Sequence, residues 1–131
     1  MGCIYVLRTL SKNPEICSIN NLYKIGFTKG TVEDRVKHAS TEPTYLMSPV
    51  SIVTAYQCYN MRPKKLEDLL HTFFGSACLS IDVFDNDGRR HTPREWFIAP
   101  LDIIEQAIYY LLNGEIVNYR YDPAKKIIIG R

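Results

Sequence analysis

A chain of 131 residues, 46% hydrophobic and 23% charged, has the make-up of an ordinary globular protein and is long enough for one real core. A formal net charge of +2 falls well short of a dedicated nucleic-acid binder, so charge alone names no partner. No apolar run is long enough to span a membrane, no signal peptide is recognisable, and Cys3, Cys17, Cys58 and Cys78 lack zinc-finger spacing. Neither a membrane-spanning helix nor a structural zinc site is expected. The expectation is one cytoplasmic domain over 1–131 with reduced thiols, either native at this length or part of a longer parent protein. Cations slightly outnumber anions over 1–79 and are slightly outnumbered over 80–131.

Residues 3–8, Cys-Ile-Tyr-Val-Leu-Arg, read as a strand with Cys3, Tyr5 and Leu7 on one face. The polar stretch 11–21, with Asn13-Pro14 and Asn20-Asn21, reads as the loop of an antiparallel pair. Its second strand, 22–28, is Leu-Tyr-Lys-Ile-Gly-Phe-Thr, which puts Lys24 and Gly26 on one face and Tyr23, Ile25 and Phe27 on the other. A lysine beside a glycine is an odd core but a sensible floor for a cleft that holds an anion. After a turn at Lys29-Gly30, Thr31 caps a helix with Asp34 at its third position, running to about Ser40, where Glu42-Pro43 ends it. On that helix Arg35 sits beside Val32, Val36 and Ala39, so a second cation is aimed inward.

Residues 50–58 form a third strand. Pro63 opens a helix whose apolar stripe is Leu66, Leu69, Leu70, Phe73 and Phe74, with Glu67 and His71 four apart along one edge. Residues 81–84 and 95–98 are expected to pair as a hairpin around Asn86-Asp87-Gly88. Pro100 begins a last helix with Leu101, Ile104, Ile108, Leu111 and Leu112 inward, and Gly114 stops it. A terminal hairpin over 116–121 and 126–129 follows. The fold class is α+β: a small central antiparallel sheet flanked by helices.

The order Ile4-Tyr5, Tyr23-Lys24-Ile25-Gly26, Arg35, Glu67 with Leu70-His71, then Glu95-Trp96-Phe97 resembles the GIY-YIG nuclease superfamily. It most resembles the branch found in phage proteins and in a meiotically up-regulated fungal protein. The resemblance covers 3–98 as the nuclease-like core, leaving 99–131 as a helix and small strands packed on it. It implies a metal-dependent endonuclease that hydrolyses DNA phosphodiester bonds, with RNA left open, using Mg²⁺ or Mn²⁺. It further implies that Tyr5 helps activate water, Lys24 occupies the second-tyrosine position, Arg35 steadies the phosphate and Glu67 holds the metal. Tyr23, His38 and His71 are further candidates. Cys3 stands where the first glycine would be, and the late asparagine of many members has no clear counterpart.

Cleaving a phosphodiester needs charge on the nonbridging oxygens, an oriented water and a cation for the leaving oxygen. Arginine offers a planar fork for phosphate, and a lone carboxylate suits Mg²⁺, which keeps several waters. A tyrosine base needs neighbouring cations to favour phenolate, since its ordinary pKa is about 10. The plainer readings are a half-buried strand tyrosine, a snorkelling lysine, an Arg35–Glu67 structural ion pair, a surface His38, a packing His71, and Glu95 paired with Arg90 or Arg94. The alternative of a different class is a catalytically inactive nucleic-acid-binding or protein-interaction module on the same fold.

Overall fold

A computed structural model describes residues 2–59 and 62–131. The centre is a four-stranded antiparallel sheet made of β1 (Gly2–Thr9), β2 (Leu22–Thr28), β3 (Val50–Cys58) and β6 (Trp96–Ile98), in the order β3-β1-β2-β6. Period-two alternation divides the β1 and β2 side chains between two layers. Ile4, Val6, Tyr23 and Ile25 pack against the helices α3 (Pro63–Phe73) and α4 (Leu101–Asn113), where Leu66, Leu70, Phe74, Ile104, Ile108 and Leu111 close the main core. Each such side chain contributes about 1.5–3 kcal/mol by leaving water. The opposite face carries Tyr5 and Leu7 against Val32, Ala39 and Tyr45, and this smaller layer holds the candidate site.

The α+β class, the central antiparallel sheet and the flanking helices match the sequence-based expectation. Five local features differ. The 11–21 loop contains a one-turn helix, α1 (Pro14–Cys17), because the Asn13 side chain accepts the Glu15 N–H at 3.0 Å and Pro14 suits a first helical position. The helix capped by Thr31 is only α2 (Val32–Val36); 3-10 turns at Ala39–Thr41 and Pro43–Tyr45 replace the rest, with Glu42 held extended before Pro43. Leu112 is half exposed and Ala107 faces the core in its place.

The fourth difference is the predicted hairpin of 81–84 with 95–98. Instead, β4 (Val83–Phe84) pairs with β5 (Arg90–His91) around the Asn-Asp-Gly turn, while β6 joins β2 in the central sheet. The turn does close a ladder, but a short local one. Trp96 and Phe97, almost wholly buried, find more apolar surface against β2 than a two-residue ribbon offers. The fifth lies at the C-terminal end: Gly114 stops α4 at φ +83°, a 3-10 turn at Glu115–Asn118 replaces the first half of the strand expected over 116–121, and β7 (Tyr119–Asp122) pairs with β8 (Ile127–Gly130). Tyr121 meets Phe74 edge-on at 5.1 Å, which ties this hairpin to the main core.

Candidate functional site

The β1–β2 register sets Tyr5 opposite Gly26 and Leu7 opposite Lys24. A Cβ placed on Gly26 would lie 2.5 Å from both Cζ and Oη of Tyr5, so only glycine lets the phenol lie on the sheet. The Tyr5 hydroxyl meets the Tyr45 hydroxyl at 3.1 Å in a buried pair. Beside it the Lys24 side chain is 1% exposed, and its ammonium is ion-paired to Glu95. The Glu95 carboxylate also accepts a hydrogen bond from the Thr44 hydroxyl at 3.2 Å. Lys24 Nζ lies 5.3 Å and Arg35 Cζ 5.1 Å from the centre of the Tyr45 ring, both within cation–π range. Arg35 donates from Nη1 to Glu42 at 3.3 Å in a half-exposed pair.

Glu67 comes from α3, in the other layer, which meets the sheet at the open edge of β2. β6 ends there: the Ile25 N–H still bonds the Glu95 carbonyl at 3.3 Å, whereas the Ile25 carbonyl accepts His71 Nε2–H at 3.0 Å. His71 therefore pins α3 to the strand edge, with Phe97 5.3 Å from its ring. One turn earlier on α3, Glu67 lies near enough for its charge to act on Lys24. It lines a groove of about 490 Å³ with Phe27, Thr28, Lys29 and Lys64. Separately, Glu95 and Thr44 share a depression of about 330 Å³ with Pro43 and residues 91–94.

Burial pushes the Tyr5 phenol well above its usual pKa; Tyr45 adds to this and the nearby Arg35 charge opposes it without prevailing. The sequence-based expectation that neighbouring cations favour phenolate is thus not met in the free protein, because desolvation wins. Burial likewise lowers Lys24 against the pull of Glu95. For Glu95, burial acts upward, but the Lys24 charge and hydrogen bond outweigh it and hold the carboxyl below its usual range.

Tyr5, Lys24 and Arg35 thus gather around Tyr45, whereas Glu67 is within reach of Lys24 by charge alone and lines a groove that none of those three borders, with His71 one turn further along α3. Tyr23 points into the main core, under Arg8 at 5.8 Å from its ring centre, and His38 is exposed at the start of a 3-10 turn. Neither belongs to the site. Arg35 pairs with Glu42 rather than Glu67, and Glu95 with Lys24 rather than Arg90 or Arg94. Sequence reading missed Glu42, Thr44 and Tyr45, which sit on an aperiodic turn. Leu46 and Met47 follow it at φ +60° and +53°, a left-handed pair of non-glycine residues. The fold sustains that conformation by burying Leu46, by the Trp96 Nε1–H bond to the Thr44 carbonyl at 2.9 Å and by the Tyr5–Tyr45 contact.

Among the described residues no group of three or more His, Cys, Asp or Glu side chains is placed to hold a metal. The Glu67 carboxylate makes no ion pair or hydrogen bond there, is partly open to solvent and borders a roomy groove. One hard-oxygen ligand with space for water fits a largely hydrated Mg²⁺.

The sequence pattern of the T5orf172 domain matches residues 2–111, a span containing every residue of the site. The chain belongs to the T5orf172 domain family. T5orf172 domains occur in phage and bacterial nuclease-like proteins. This T5orf172 domain is 44% identical over 107 residues to the uncharacterized protein YeeC of Bacillus subtilis (strain 168). The similarity covers 82% of this chain and 28% of YeeC, so the chain spans little more than a quarter of that relative. No solved structure matches.

Proposed function

We propose that this T5orf172 domain is a GIY-YIG-type, metal-dependent endonuclease that hydrolyses DNA phosphodiester bonds. The observation that carries the reading is the buried Tyr5–Lys24 floor with Arg35 at its rim, together with Glu67, whose charge acts on Lys24 and whose carboxylate has no partner among the described residues. Arg35 is half exposed, and its bond to Glu42 is long, so an arriving phosphate can exchange with that carboxylate. Lys24, fixed by Glu95, keeps a donor beneath the phosphate. Tyr5 starts protonated, so its hydroxyl orients the attacking water through a hydrogen bond, with Tyr45 fixing the phenol's direction. Glu67 would hold a Mg²⁺ or Mn²⁺ ion, which when bound supplies positive charge for the leaving oxygen.

The test is incubation of plasmid DNA with the pure protein and Mg²⁺ or Mn²⁺, beside Arg35→Ala and Glu67→Ala. Wild type is expected to nick or linearise the plasmid, and each variant to lose about 100-fold or more in rate. Cleavage that persists unchanged in both variants overturns the assignment. The non-catalytic module remains the second reading, favoured by the absence, among the described residues, of any group of three or more His, Cys, Asp or Glu side chains placed to hold a metal. Its signature is DNA binding that weakens steeply with salt and never proceeds to cleavage.

A further inference from the structure

The β4–β5 ribbon takes no part in the central sheet. Its register sets Val83 opposite His91 and Phe84 opposite Arg90, so each pair shares a face. Val83 turns inward, into the cluster of Ile16, Leu22, Leu46 and Trp96. Phe84 turns outward at 61% exposure, beside an exposed Arg90. Asp85 stiffens the turn: Oδ1 accepts the Asp87 and Arg89 N–H groups, both at 2.9 Å, and Oδ2 accepts His91 Nε2–H at 2.7 Å. The Thr92 hydroxyl donates to Asp82 at 2.6 Å.

Two of the ribbon's acids are therefore engaged internally, whereas Arg89, Arg90 and Arg94 make no side-chain hydrogen bond or ion pair among the described residues. The base of the ribbon is continuous with the site. His91, Thr92, Pro93 and Arg94 wall the same depression as Glu95, whose carboxylate holds Lys24. A polyanion held at Arg35, above the buried Lys24, would be led along that wall toward the free arginines. A rigid two-stranded ribbon also has the width that the major groove of duplex DNA admits.

We infer that the β4–β5 ribbon is a DNA-docking element, with Arg89, Arg90 and Arg94 taking phosphates of the duplex beside the cleavage point and Phe84 packing on a base edge. The inference rests on the nuclease reading and names the surface by which that site holds its substrate. Phosphate contacts set the register and raise affinity in a salt-dependent way, and an apolar contact does not.

The experiment is fluorescence anisotropy of a labelled DNA duplex titrated with the 131-residue chain in EDTA, across a salt series. The variants are Arg89→Ala with Arg90→Ala, the same pair changed to lysine, and Phe84→Ala. All three residues are exposed and Asp85 is untouched, so the melting temperature is expected to stay put. The double alanine variant should bind several-fold more weakly, and its slope of log K against log salt should flatten by about 1.8. The lysine pair should keep the slope, and Phe84→Ala should weaken binding without changing it. If wild type binds and the double alanine variant matches it in affinity and slope, the ribbon inference is overturned while the nuclease reading stands. A wild type that binds no DNA at any salt overturns both.

Discussion

Gly26→Ala is a sharp probe of how the site is assembled. The new methyl would fall 2.5 Å from Cζ and Oη of Tyr5 and 2.8 Å from Cε1. Restoring ordinary contact demands a shift of about 1 Å in the end of the ring. That end has nowhere to go: Tyr5 is 2% exposed and its hydroxyl is tied to Tyr45. Overpacking costs about 1–3 kcal/mol and loss of the buried hydrogen bond about 1 more. The usual gain from replacing a strand glycine, about 0.5–1 kcal/mol, returns part of this. The expected net loss is roughly 2–3 kcal/mol, read as a drop of about 1 M in the urea midpoint. In a Tyr5→Ala background the methyl enters the space the phenol vacated, so the same substitution should stabilise by up to about 1 kcal/mol. The double-mutant cycle then gives a coupling of about 2 kcal/mol or more. Equal costs in both backgrounds would refute the packing of Tyr5 on Gly26.

Other substitutions separate stability from chemistry. Arg35→Ala removes a half-exposed pair and should cost under about 1 kcal/mol of stability while cutting cleavage by about 100-fold or more; parallel losses in both would make Arg35 merely structural. Glu95→Gln leaves the Lys24 ammonium buried without its counter-charge and should cost about 2 kcal/mol, less than a fully buried pair because Glu95 is 39% exposed. Because the folded pKa of Glu95 is depressed, its contribution exists above the unfolded value near 4.3 and is lost as pH falls through the folded one. The Gln variant should flatten that acid limb in pH-dependent unfolding. Tyr5 is shifted the other way: its raised folded pKa gives stability that is intact below about pH 10 and lost as pH rises beyond it. Relative to Tyr5→Phe, wild type should therefore lose about 1.4 kcal/mol per pH unit above pH 10, and a gap that stays flat to pH 11 contradicts a buried, protonated phenol.

Local pattern carried most of the fold. The second and third strands and the helix after Pro63 are legible because alternation, helical spacing and a proline or glycine mark their ends. The fourth strand was not, since its partner Tyr23 lies 74 positions before Phe97 and a nearer turn offered a local alternative. The site divides in the same way. Lys24 was legible as a charge on an apolar strand, and Arg35 as a cation on an apolar helix side. Tyr45 and Thr44 were not, because a 3-10 turn followed by two left-handed residues has no period to read, and their roles depend on tertiary contacts with Tyr5, Glu95 and Trp96.

The most direct measurement is a crystal of the protein with Mn²⁺ and a short DNA duplex, examined for anomalous scattering. The expected result is one manganese peak on the Glu67 carboxylate, with a phosphate of the duplex against Arg35 and Tyr5 facing the scissile bond. A duplex that lies elsewhere, or manganese held by other carboxylates while Glu67 stays bare, would contradict a phosphodiester-cleaving site on this face of the sheet.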